Sequence, residues 1–182
     1  LLSRPELRNR LAHPAPAANG QVASVAPASL PSLTYDGVTT FRMNGEEIQL
    51  IPIHNAHTDG DTMIRFVNND VLMVGDFYRS IQYPNVDRAN GGTLNGMLQG
   101  LAETIALCGP NTKVIPGHGA MVDRAALVAH RDMILALRDK VAPLVKAGAM
   151  GKAIPGSYLV VLKGGPAGDL EGRFHHRRVC GA

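Results

Sequence analysis

The chain has 182 residues and a mass of 19.3 kDa, with 45% hydrophobic and 18% charged residues. That composition suits one domain with a real apolar core and excludes a wholly disordered polymer. Aromatics are only 4% and Trp is absent, which speaks against a base-stacking nucleic-acid platform. No apolar run reaches the about 18 residues of a membrane-spanning helix. The formal charge of +3 sits wholly in residues 151–182, with five Lys or Arg against two Asp or Glu, because residues 1–150 hold thirteen of each. The excess therefore gives the rest of the chain no basic face for nucleic acid. Two cysteines, Cys108 and Cys180, without a CxxC spacing, make no disulfide framework.

In chain order, Ser3-Arg4-Pro5-Glu6 reads as a helix start, with Ser3 as cap, Pro5 in the first turn and Glu6 closing a capping box. The helix would run through Leu7 and Leu11. No leader pattern precedes it, and an element already under way at Leu1 predicts an upstream part. From His13 to Ser32 the sequence is Ala-, Pro- and Ser-rich with almost no charge, a loop. Residues 1–32 are thus set apart as a partial helix and loop, residues 33–150 as the domain, and residues 151–182 as an atypical basic tail.

Short strands follow near Thr39–Met43 and Glu47–Ile53, joined by Asn44-Gly45 as a type I′ hairpin. Polar His54–Asp61 leads to a second hairpin, Thr62–Val67 and Val71–Val74 around Asn68-Asn69. Val71–Val74 is apolar on both faces, as in a buried strand. Gly75–Gly92 shows no period. Leu94, Met97, Leu98, Leu101 and Ile105 then fall at helical spacing behind Thr93 as cap. Lys113–Pro116 reads as a strand ending in Gly117-His118-Gly119. Asp123 caps a long helix ending at Gly148, which Pro143 should kink. The fold class is α/β, strands first and helices after.

Three loops adjoin apolar strands and each presents a metal-competent side chain: His57, Asp76 and His118. Imidazole nitrogen and carboxylate oxygen are ordinary zinc ligands, and glycine beside each lets the backbone turn sharply. The intervals, 19 residues from His57 to Asp76 and 42 from Asp76 to His118, suit ligands gathered from several strand ends.

Taken in order, His57-Thr58-Asp59-Gly60-Asp61-Thr62 before a hairpin, then Gly75-Asp76-Phe77, a helix, and Ile115-Pro116-Gly117-His118-Gly119 resembles the metallo-β-lactamase superfamily of metal-dependent hydrolases, over about residues 33–147. The resemblance implies an αββα sandwich, here incomplete, and two Zn2+ ions. It makes His57 a ligand of one ion, His118 of the other, and Asp76 the bridging carboxylate and the residue on which hydrolysis depends. A metal-bound hydroxide would attack a carbonyl-type or ester group of a small-molecule substrate. The family's His-x-His-x-Asp-His motif is not in this chain, in keeping with the expected upstream part. The rival reading is a non-catalytic module with weak metal binding, because three ligands shared by two ions leave each short of the three of a catalytic zinc.

Around these, Tyr78–Gly92 resembles the loop at the active-site mouth, where Arg79, Tyr83, Asp87, Arg88 and Asn90 could meet a substrate carboxylate. His54 is expected to orient the His57 turn, and Asp59 and Asp61 to fix that loop by Asx bonding, with a carboxylate of either one as the alternative partner of His57. His130 reads as a packing histidine, and His175-His176 with Arg173, Arg177 and Arg178 as a solvated tail. Asp76, at the end of a buried strand, needs a cation or several donors. Without metal its replacement is expected to cost little stability, because an uncompensated charge would be removed.

Overall fold

The computed structural model describes residues 1–16, 19–22, 25–146, 159–161 and 173–175, the last two segments as backbone only. Its elements are β1 (Leu2–Ser3), α1 (Pro5–Ala12), β2 (Leu33–Thr34), β3 (Thr39–Met43), β4 (Glu46–Pro52), β5 (Thr62–Phe66), β6 (Val71–Arg79), α2 (Leu94–Leu107), β7 (Lys113–His118), α3 (Arg124–Lys146), β8 (Leu159–Val161) and β9 (Arg173–His175). No described helix is long and apolar enough to cross a membrane.

A five-stranded sheet in the order β3-β4-β5-β6-β7 carries the domain. Its first four strands are antiparallel neighbours, while β6 and β7 are parallel. A parallel pair needs a crossover, and α2 supplies it. The β3–β4 turn is built as the sequence predicts, with Asn44 at φ 53° and Gly45 at φ 75°, the left-handed pair of a type I′ hairpin. In the next hairpin the left-handed residue is Asp70, at φ 52°, rather than either asparagine.

The register separates the two faces of the sheet. Ile51, Met63, Leu72, Val74 and Val114 point to one side, where they join Leu94, Met97, Leu101 and Ile105 of α2 and Leu127 and Ile134 of α3 in one core. Both helices are capped as expected: the Thr93 hydroxyl accepts from Gly96 N at 2.9 Å, and Asp123 accepts from Ala126 N at 3.0 Å. The opposite face carries Phe41, Ile48, Leu50, Ile64, Phe66, Met73 and Ile115, all incompletely covered, with Phe41 41% and Met73 37% exposed. The architecture is one layered sheet with its second apolar face only partly covered, an incomplete version of a sheet-on-sheet sandwich.

Several expectations change. Ser3 does not cap α1: it lies in β1, which pairs in parallel with β2, and its hydroxyl donates to the Arg4 carbonyl. Arg4 takes the cap position without a side-chain cap bond, and is only 1% exposed between Asp36 and Glu6. Val71–Val74 is not buried on both sides, since Met73 is on the partly covered face. Strand β6 continues five residues into the stretch read as aperiodic, because pairing with β7 persists through register shifts at Met73/Gly75 and Gly75/Arg79. These bulges erase the two-residue period. Helix α3 runs through Pro143. Gly148, Cys180 and the His176-Arg177-Arg178 cluster lie outside the described residues; Arg173 and His175 lie in β9, paired antiparallel with β8.

Candidate metal centre

The centre lies at the C-terminal ends of the parallel strands β6 and β7. Pairing places Arg79 opposite His118, and Ser80 N donates to the His118 carbonyl at 3.0 Å. Asp76 and His118, 42 residues apart, therefore end side by side. A Cβ at Gly117 would overlap Asp76 Oδ1 and the Gly75 backbone. Only glycine lets the two strands close this far.

His57 arrives from the loop between β4 and β5, which is stitched to the segment entering α2. Asp87 N donates to the His57 carbonyl at 2.9 Å, Asp59 N to the Asn90 carbonyl at 2.9 Å, and Thr93 N to the Asn55 carbonyl at 2.8 Å. Cβ atoms at Gly92 and Gly96 would overlap the His57 and Asn55 carbonyl oxygens. Within the loop, Asp61 accepts from His57 N at 2.6 Å and from the Thr58 hydroxyl at 2.7 Å. Burial raises the Asp61 pKa against these stabilising hydrogen bonds, so its carboxylate is held at some cost to fix the turn.

The three predicted side chains converge. His118 Nε2 stands 3.3 Å from Asp76 Oδ1, and His57 Nε2 3.8 Å from Asp76 Oδ2. The His57 Nδ1 atom lies 2.7 Å from the Asn85 carbonyl oxygen. A carbonyl can only accept, so Nδ1 carries the proton, and in a neutral ring Nε2 keeps its lone pair toward Asp76. Two donors each about 2.1 Å from one tetrahedral ion lie about 3.4 Å apart. The two spacings bracket that value, and each oxygen of Asp76 serves a different imidazole. On either side of the carboxylate the donor set supplies two of the three or more donors that a zinc ion takes. No group of three or more His, Cys, Asp or Glu that could hold an ion occurs among the described residues.

Arg79 completes the cluster in a way the sequence did not show. It is not in the mouth loop but at the end of β6, and its Nη2 donates to Asp76 Oδ2 while Nη1 donates to Gln82 at 2.9 Å. Burial pushes the Asp76 pKa up, but the Arg79 hydrogen bond and charge, with His118 and His57, outweigh it and hold the carboxyl below its ordinary value. The carboxylate, which lies within β6 and not at its end as the sequence suggested, is thus already compensated.

The remaining candidates scatter. His54 is exposed, and its ring makes no hydrogen bond or ion pair among the described residues; Asp61 and the Asn85 carbonyl orient His57 instead. The Asp61 hydrogen bonds go to the loop backbone and to Thr58, and its interaction with the His57 ring is one of charge. Asn90 donates to Asp87 at 2.7 Å and so braces the mouth loop. Tyr83 is half-buried there. Asp59 pairs with Arg10 of α1. His130 packs edge-on against Tyr78, ring centroids 4.9 Å apart, as a packing histidine should.

Among solved structures, the chain is similar to the BLEG-1 B3 metallo-β-lactamase (16% identity, TM-score 0.57), matching 73% of this chain and 64% of that one. It is similar to a metallo-β-lactamase from Pontibacter korlensis (18% identity, TM-score 0.51, 59% and 50%). The inverting sec-alkylsulfatase Pisa1 from a Pseudomonas species also matches (19% identity, TM-score 0.54, 76% and 24%). No family model and no curated protein matches. The fold is that of the metallo-β-lactamases, and the chain spans between half and two-thirds of the length of the two lactamases.

Proposed function

We propose that the chain carries part of the metal centre of a zinc-dependent hydrolase acting on a small-molecule ester or carbonyl-type substrate. The observation that carries this reading is the convergence of two imidazole Nε2 atoms on the two oxygens of one carboxylate, at 3.3 and 3.8 Å. His57 would hold one Zn2+, His118 the other, and Asp76 would lie between them. When bound, zinc supplies a Lewis acid and a water acidic enough to act as nucleophile near neutral pH. The chain's own part is positional. The Asn85 carbonyl fixes the tautomer and direction of His57, Asp61 fixes its loop, and Gly117 brings Asp76 against His118.

A second reading rests on the lack of any three-donor group among the described residues: the chain by itself binds metal weakly and does not catalyse. Equilibrium dialysis against Zn2+ with elemental analysis tests the centre, comparing the chain with His57→Ala/His118→Ala. Zinc retained by the wild type and lost by the double variant is the expected result. Equal retention by both would refute the site. A panel of lactam, thioester, lactone, phosphoester and sulfate-ester substrates, run on the zinc-loaded chain, separates the hydrolase from the weak binder.

A further inference from the structure

The two sides of Asp76 are chemically unequal. Oδ1 faces His118 at 3.3 Å, with Gly117 packed beneath it and no other cation paired to it among the described residues. Oδ2 faces His57 at 3.8 Å and is already engaged by the Arg79 guanidinium. A divalent ion between His57 and Oδ2 would share that oxygen with a fixed positive charge. Arg79 is also imperfectly seated: its Nε is buried without a hydrogen-bond partner among the described residues, so its pose is one it can leave without losing a full set of bonds.

Resting on the metal-centre reading above, we propose that Arg79 stands in for one of the two cations. A first Zn2+ enters on the His118–Oδ1 side, and a second reaches the His57–Oδ2 side only when Arg79 withdraws from Asp76. The guanidinium thus keeps the carboxylate compensated in the metal-free chain and sets the order and spacing of the two binding steps. The physical reason is charge: a guanidinium within a few ångströms of a divalent ion weakens its binding by about tenfold or more even in a water-like dielectric. His118 is the more exposed ring, 53% against 16% for His57. Order alone therefore does not assign the cause, and a change at Arg79 does.

The test is a Zn2+ titration of the whole chain followed by imidazole 15N resonances, with His57 and His118 assigned from their alanine variants. In the wild type the His118 ring should respond at a Zn2+ concentration at least about tenfold lower than the His57 ring. In Arg79→Met the His57 response should move to at least about tenfold lower Zn2+, and Arg79→Lys, which keeps a shorter cation, should fall between. Rings that titrate together in the wild type would overturn the proposal, whether or not Arg79→Met folds. So would an unchanged His57 response in a folded Arg79→Met or Arg79→Lys; in both cases the metal centre itself would stand. If neither ring responds in any variant, the metal centre fails and the proposal with it.

Discussion

Replacing Asp76 by Asn in the metal-free chain should destabilise it, which reverses the expectation from sequence that an uncompensated charge would be removed. The side chains are 28% and 16% exposed for Asp76 and Arg79, so the pair lies between a solvated ion pair, worth up to about 1 kcal/mol, and a buried one, whose breakage costs about 3–5 kcal/mol. A loss of about 1–3 kcal/mol follows. For a domain of this size that is about 3–9 °C in Tm. Because the folded-state pKa of Asp76 is lowered, its contribution is fully present above the ordinary carboxyl pKa and disappears as pH falls through the lowered value. Thermal melts at pH 7 on Asp76→Asn, Arg79→Met and the double variant give the coupling energy of the pair. A Tm of Asp76→Asn equal to or above the wild type, or additive single effects, would refute the reasoning.

Gly117→Ala should lower stability by about 1–3 kcal/mol, since the new methyl overlaps Asp76 Oδ1 and the Gly75 backbone; it should also weaken Zn2+ retention, and urea unfolding with the dialysis assay reads both. His130 has its pKa lowered by burial, so the folded chain binds fewer protons there than the unfolded one. The contribution is whole above the ordinary histidine value and is lost as pH falls below it through the lowered one. Melts between pH 7.5 and 5 should show a steeper fall in the wild type than in His130→Phe, and equal slopes would count against a buried neutral imidazole.

Legibility in the sequence divides along physical lines. The helices α2 and α3 and the β3–β4 hairpin were readable because their signals are local: a 3.6-residue apolar period, Thr93 and Asp123 as caps, and Asn44-Gly45 at the turn. His57, Asp76 and His118 were readable as a trio because each follows an apolar run, although only His118 ends its strand while His57 lies in the β4–β5 loop and Asp76 within β6. The Asp76–Arg79 pair was hidden. Residues three apart on a regular strand point to opposite faces, and only the shifts in β6 near Gly75 bring both to one edge. The role of Asn85 was hidden too, since it acts through its carbonyl, which every residue possesses. At the amino end, the capping pattern of Ser3 and Glu6 lost to a long-range pairing of Leu2–Ser3 with Leu33–Thr34 that no local rule contains.

The two histidines differ in preparation as well as in exposure. His57 is held by a carbonyl on Nδ1 and by a loop anchored through Asp61, Asp87 and Thr93, so little freedom remains for a ligand to freeze. His118 follows Gly117 and precedes Gly119, which sits at φ 100°, and its ring has no hydrogen-bond partner among the described residues beyond the approach to Asp76. Orienting partners behind a histidine ligand are worth about tenfold to a hundredfold in metal affinity. The better-prepared ring therefore faces the oxygen that Arg79 occupies, and the open oxygen faces the looser ring. Neither half of the centre combines a prepared imidazole with a free carboxylate oxygen. On the proposed reading, that opposition would weaken metal binding by this chain alone, over and above the number of donors.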